Sequence, residues 1–281
     1  MHMIKYYSIN GKLVPAEQAT LHASDLAILR GYGMFDFFLV KKGQPLFLDD
    51  YLDRFEKSSR ILHLHVPFSR QELTRQIMEV VRANGLTEGG MRLVLTGGYA
   101  SDGYSPSTPN LIIMEHPAPV YPVERYEKGV KLMLHEYHRT FPSAKTINYI
   151  VGIYLLPQMR EAGAEDILFH SGGNIYETTR ANFFIVLPDD TIVTAGDGIL
   201  EGITRMKTLE VAKRHYHVEE RDLALEELKT AREAFITAST KGVMPVVQVD
   251  DQVIGNGKPG EVTRHIGRHH SHENFRGSQT A

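Results

Sequence analysis

The sequence predicts a mixed α/β chain of the α+β kind, in two domains, and three observations predict it. Hairpin signals outnumber strand–helix–strand units, which argues against a doubly wound parallel sheet. At 281 residues the chain exceeds what one hydrophobic core of ordinary size organises. The stretch "HPAPVYPVE" at 116–124 interrupts the periodic pattern and reads as a linker. The expected domains are therefore 1–118 and 125–281, joined by 119–124, with a polar tail from about 268.

Each element follows from local chemistry. Asn10-Gly11 stands between two apolar stretches and signals a hairpin, and Gly43 marks a second one in "FFLVKKGQPLFL". The intervening "SDLAILRGYGMFDFF" is punctuated by glycine and does not read as a regular helix. "DDYLDRFEKSSRILHL" carries Leu52, Phe55, Ser59 and Leu62 on one stripe, a helix. In "SRQELTRQIMEVVRANG" Ser69 and Glu72 form a capping box, Leu73, Ile77 and Val80 make the stripe, and Gly85 stops it. "GMRLVLTGG" and "PNLIIMEH" are short strands. In the second half "GVKLMLHEY", "DILFH", "NFFIVL", "TIVTA", "AFITAST" and "PVVQV" read as strands, and "GITRMKTLEVAKRH" as a helix. The run after Lys145 reads as a buried helix with Ile150, Ile153, Tyr154 and Met159 along it, ending near Gly163.

Composition excludes several classes. Hydrophobic residues at 42% and charged residues at 23% are those of a soluble globular chain. A net charge of −3 points to neither a nucleic-acid nor a membrane partner. Without cysteine there is no disulfide framework and no thiolate metal site, and no metal centre is predicted. "MHMIKYYSING" has no apolar run of signal-peptide length, so a cytoplasmic location is expected. The His-rich tail "RHHSHENFRGSQTA" reads as a frayed terminus, with weak metal binding as the other reading.

Four stretches carry possible chemistry. Lys145 heads an apolar run behind small residues, and burial there would favour the neutral, nucleophilic amine over a solvated ammonium. "GDGILEGITRMKTLEVAK" opens a helix at Ile203 and Thr204 after a glycine-rich turn. Its N–H groups and dipole suit one phosphate, although any helix start after such a turn looks similar. "TASTKG" places Ser239 and Thr240 at a strand exit, either as anion donors or as an ordinary turn. Glu177 lies between a Gly-Gly turn and a strand, either as a partner for a ring nitrogen or as a surface carboxylate. Together an amine, a phosphate cradle and an acid are what pyridoxal phosphate needs.

The chain resembles the fold-type IV pyridoxal-phosphate enzymes, the class IV aminotransferases. That family holds branched-chain aminotransferases, D-amino acid aminotransferases and aminodeoxychorismate lyase. "RGYGMFDFF", "LDRFEKSSRIL", "KTINY", "YETTRANFF", "LEGITR" and "FITASTKGVMPV" occur in the family's order, over about residues 5–265. The resemblance implies two α/β domains with the cofactor between them, in a homodimer whose neighbouring subunit completes the site. It also implies that Lys145 is the Schiff-base lysine and Glu177 the partner of the ring nitrogen. Arg54, Ile203, Thr204 and Ser239 are then the phosphate contacts, and Tyr149 lines the cofactor.

Substrate choice within the family turns on the α-carboxylate. Phe35 stands where the best-known D-specific enzymes have a tyrosine, and "LTGGYAS" lacks their arginine and histidine. Branched-chain enzymes use turn amides equivalent to Thr240 and Lys241, where this chain carries a long lysine. Arg30 and Arg92 are alternative bidentate carboxylate binders. The favoured expectation is ping-pong transfer between a D-amino acid, of D-alanine or D-glutamate type, and a 2-oxo acid such as 2-oxoglutarate. An L-branched-chain enzyme is the alternative. A lyase and a non-catalytic cofactor-binding protein are more distant ones.

Overall fold

The computed structural model describes residues 4–276, and side chains through 269. It divides into two compact units. One holds the chain up to Pro119 together with Ala144–Asn148, and the other holds Val120–Ser143 with Tyr149–Arg276. The Lys145 segment, expected in the second domain, therefore groups with the first.

The first unit is a six-stranded sheet with three α-helices. The strands are β1 (Tyr6–Ile9), β2 (Lys12–Pro15), β3 (Gly33–Lys41), β4 (Gln44–Pro45), β5 (Glu88–Thr96) and β6 (Leu111–His116). They are ordered β2-β1-β6-β5-β3-β4, with every pairing antiparallel. Asn10 and Gly11, at φ 49° and 79°, make the β1–β2 turn with two left-handed residues, which is why that dipeptide signals a hairpin. Where glycine punctuation argued against regular structure, the chain forms the short helix α1 (Leu26–Arg30) and then β3. On β3, Met34, Phe38 and Val40 are buried on one face, beneath α2 (Leu48–Ile61). The capping box at Ser69 is present and starts α3 (Arg70–Asn84), which ends at Gly85.

Residues 145–147 extend this sheet rather than start a helix. Phe35 N–H donates to the Lys145 carbonyl at 2.9 Å, Ile147 N–H donates to the Gly33 carbonyl at 3.1 Å, and Met34 bridges Thr146.

The second unit contains α4 (Glu124–Lys128), β7 (Val130–Glu136), α5 (Ile150–Tyr154), α6 (Leu156–Glu161), β8 (Asp166–Ser171), β9 (Asn174–Thr178), β10 (Asn182–Val186) and β11 (Ile192–Thr194). It continues through α7 (Ile203–Ala212), β12 (Val218–Glu220), β13 (Leu223–Ala224), β14 (Glu233–Ala238), β15 (Gly242–Val249), β16 (Gln252–Val253) and α8 (Glu261–Arg276). Strands β10, β14, β15, β7, β8 and β9 pair in that order, and the bridge Asn182–Glu177 joins β9 back to β10, closing a ring. β10 is buried along its whole length because it serves two cores. Phe183 and Ile185 enter a cluster with Leu132, Leu168, Ile236 and Met244. Phe184 and Val186 face the other way, against Leu209, Val262 and Ile266 of α7 and α8, with Phe184 stacked on Phe235 at 4.7 Å.

Two expectations are corrected here. The helix after Lys145 begins at Ile150, and Ile150, Ile153 and Tyr154 are exposed rather than buried. The stripe that packs inward is Val151, Leu155 and Met159, spaced four apart, against Ile167 and Phe169. Of the tail from 268, expected to be frayed, the part through Arg276 is helical as part of α8, and 277–281 lie outside the described residues. Among the described residues no helix is long and apolar enough to cross a membrane.

Candidate active site

The predicted residues fall into two groups, one in each unit. In the first, Lys145 has a fixed main chain: its N–H donates to Ser58 Oγ of α2 at 3.1 Å and its carbonyl accepts from Phe35. The side chain is half-buried and its Nζ lies 4.8 Å from the Phe35 ring centroid. The same ring carries the Arg92 guanidinium at 5.3 Å. This follows from register, since Phe37 faces Arg92 across β3 and β5 and Phe35 is its diagonal neighbour. Phe35 therefore has both cations within cation–π range.

Arg54, on α2, is buried and gripped by Asp36 of β3. Its Nε donates to one carboxylate oxygen at 3.0 Å and an Nη to the other at 2.6 Å. This fork orients the guanidinium and neutralises it within the protein. Asp36 escaped the sequence reading, though it left a signal. An acid on the inward face of the apolar alternation "GMFDFFLV" demands a buried partner.

Arg30 ends α1 and is exposed, its Nη1 donating to the Leu29 carbonyl at 2.9 Å. The helix is anchored by Asp25, which is fully buried. One Asp25 oxygen accepts from the Ala27 N–H at 2.8 Å, and the other from Thr96 Oγ1 at 2.7 Å and Asn110 Nδ2 at 2.8 Å.

In the second unit Glu177 is 5% exposed on β9, which corrects the surface reading. One oxygen accepts from Arg139 Nη1 at 2.9 Å, the other from the Leu200 N–H at 3.2 Å and Asn182 Nδ2 at 3.4 Å. Asn182 also donates to the Leu200 carbonyl at 2.8 Å. A Cβ on Gly202 would lie 2.2 Å from Asn182 Oδ1, so only glycine fits there. Gly202 is the N-cap of α7 and contributes no capping side chain, and Ile203 and Thr204, the first helical residues, are buried. The acid and the loop that leads into α7 thus share one hydrogen-bonded cluster through Asn182 and Leu200. Arg139, some forty residues before Glu177, left no local signal.

Ser239, Thr240 and Tyr149 are half-buried. Lys241 is where the structure departs most from expectation. Its side chain turns into the unit, 3.1 Å from Asp166 Oδ2 and 3.4 Å from Glu165. Its N–H donates to the Ala238 carbonyl at 3.1 Å. Burial opposes ionisation of Asp166, but Lys241, Arg180 and hydrogen bonds from Thr179 and the Ile167 N–H outweigh it and hold its carboxyl below the usual range.

Taken one unit at a time, the fixed lysine of the first, and the buried acid beside an arginine and the helix start lacking a side-chain cap of the second, are of the chemical types that a phosphorylated pyridine aldehyde requires. Known proteins share this chain's sequence and fold. The family model for class IV amino-transferases matches residues 33–249. A putative branched-chain-amino-acid aminotransferase of Methanocaldococcus jannaschii is 30% identical over 92% of both chains. A D-alanine aminotransferase of Bacillus licheniformis is 28% identical over 92% of this chain and 93% of its own. Among solved structures, the branched-chain amino acid aminotransferase of Escherichia coli superposes at TM-score 0.87, with 26% identity, over 95% of this chain and 93% of that one. Another branched-chain amino acid aminotransferase, solved with pyridoxamine 5'-phosphate, superposes at TM-score 0.89, with 25% identity, over 98% of this chain and 95% of that one. The chain belongs to the class IV aminotransferases. It is a transaminase that works with pyridoxal 5'-phosphate.

One prediction follows at Glu177. Glu177→Gln keeps the shape but removes the charge that faces Arg139 and that is expected to meet the ring nitrogen. Turnover should fall about 10- to 150-fold, the equivalent of one charge-assisted hydrogen bond, and the visible spectrum of the holoenzyme should shift. An unchanged spectrum and rate would rule the role out.

Proposed function

We propose that the protein moves amino groups between a D-amino acid and a 2-oxo acid such as 2-oxoglutarate, in a ping-pong cycle. The observation that carries this reading is Arg92 sharing the Phe35 ring with Lys145. A guanidinium on the same ring as the reacting amine suits an α-carboxylate, and it replaces the missing tyrosine, arginine and histidine. The commitment of the Lys241 N–H to Ala238 weighs against the turn-amide arrangement of the L-branched-chain reading.

When bound, the cofactor supplies the electron sink that acidifies the substrate Cα–H. Lys145 is the group that moves that proton, acting as base and then acid from a main chain held by Ser58 and Phe35. Glu177, backed by Arg139, meets the ring nitrogen. Arg54, the N–H groups of Ile203 and Thr204, and Ser239 hold the phosphate, and Tyr149 lines the ring. Arg30, exposed at the end of α1, serves the site of a neighbouring subunit in a homodimer. Amino donor and acceptor occupy the same place in turn, hence ping-pong kinetics.

The test is to mix the holoenzyme separately with D-alanine, D-glutamate, L-leucine and L-glutamate and to measure 2-oxo acid. Product from the D-forms alone is expected, and product from L-leucine alone overturns the reading. Arg92→Ala and Arg30→Ala should each lower kcat/KM for D-amino acids about 10- to 150-fold, with cofactor affinity unchanged. If both variants match the wild type on either hand, carboxylate binding passes to the turn at Thr240.

A further inference from the structure

Far along the chain from the residues above, three histidines of the second unit come together. His265 and His269 are one turn apart on α8, so they share a face. His215 follows the end of α7, which packs against α8. The ring centroids are 4.4 Å apart for His265 and His269, 4.9 Å for His215 and His265, and 5.4 Å for His215 and His269. One nitrogen from each ring lies within 4.8 Å of those of the other two. We propose that His215, His265 and His269 form a binding site for a divalent transition-metal ion of the zinc type.

The donor chemistry selects the metal. Three imidazoles with no carboxylate suit zinc, copper or nickel, not calcium or magnesium, which require oxygen ligands. Nitrogens at about 2.0–2.1 Å from a tetrahedral zinc stand roughly 3.4 Å from one another. Small rotations of exposed or half-buried rings close that gap.

Two rings are already oriented for the task. His269 Nδ1 lies 3.0 Å from the His265 carbonyl, which makes it the donor and leaves Nε2 as the ligand. His265 Nδ1 lies 2.7 Å from the Tyr216 hydroxyl, an outer partner that likewise leaves Nε2 for the ion. Such partners fix ring orientation and raise ligand basicity at metal sites. Three protein ligands leave one position for water or a further ligand. A bound ion would tie the end of α7 to α8.

The experiment is zinc titration of the metal-free holoenzyme against a chromogenic chelator, with melting temperature as a second readout. One ion per chain is expected, and a rise of roughly 5 °C at a hundredfold excess over Kd. His215→Ala and His265→Ala should each weaken binding at least about 10- to 100-fold. His215 is exposed, so its substitution leaves the fold intact. His270 and His272 lie beyond the described side chains and are controlled directly. The double variant His270→Ala/His272→Ala should retain the ion. If His215→Ala binds zinc as wild type does, or the double variant loses it, the ion belongs to the terminal segment and the proposal fails. The absence of stoichiometric zinc binding overturns it too.

Discussion

Lys145→Ala should lower turnover by at least about 10³- to 10⁴-fold, because in the proposed role one amine serves as both the point of attachment and the proton carrier. The loss should fall on kcat, with cofactor affinity reduced far less. The phosphate contacts proposed at Arg54 and the start of α7 do not depend on the lysine, and Arg54 is held by Asp36 at 2.6 and 3.0 Å whatever stands at 145. The fold should also survive. The bonds that fix residue 145 use its main chain, to Ser58 and Phe35, and alanine keeps them. Borohydride treatment of the wild-type holoenzyme should fix the cofactor on the peptide carrying Lys145. Label on any other lysine would refute the assignment, as would a variant that retains a tenth of the wild-type rate.

The second large effect concerns stability. Lys241→Met strands the Asp166 carboxylate in a site where it is 1% exposed. Removing one member of a buried pair costs roughly 3–5 kcal/mol, readable as a shift in urea midpoint. The double variant Lys241→Met/Asp166→Asn should recover part of that loss, since no buried charge is left unpaired. Asp166 is held below its ordinary range in the folded state. Its contribution is therefore complete above the unfolded value near pH 4 and is lost as pH falls through the lower, folded value. Acid titration of stability should show this loss in the wild type and not in Asp166→Asn. Equal stability of Lys241→Met and wild type at pH 7 would show that the pair contributes nothing.

Much of the fold was legible because it is written in local chemistry. The turn at Asn10-Gly11, the box at Ser69 and Glu72 and the stop at Gly85 each act within a few residues. An amine, an acid and a glycine-led helix start are likewise recognisable in the sequence as types, which is how the candidate site was assembled. What was not legible is pairing. Asp36 with Arg54 and Arg139 with Glu177 are contacts across 18 and 38 residues of chain. The direction of the Lys241 side chain depends on Asp166, 75 residues away. Buried Glu177 is held by Arg139, 38 residues before it, and by Leu200, 23 residues after it, which no short window of sequence displays. The segment after Lys145 misled for a different reason. Its apolar residues are not all on one stripe, so the richest-looking face proved to be the exposed one.

The anchoring of α1 has a consequence for how this molecule can change. The Asp25 side chain secures the helix from behind with three hydrogen bonds, while Arg30 lies exposed at its far end and bonds to the adjacent carbonyl. Replacing Arg30 removes almost no packing, so position 30 is mutationally inexpensive; replacing Asp25 is not. Neither position takes part in the hydrogen bonds of the Glu177–Asn182–Leu200 cluster. On the role proposed for Arg30, new substrate preferences can therefore be sampled at the tip of α1 one residue at a time, by selection or in the laboratory, without a passage through unfolded or cofactor-free variants.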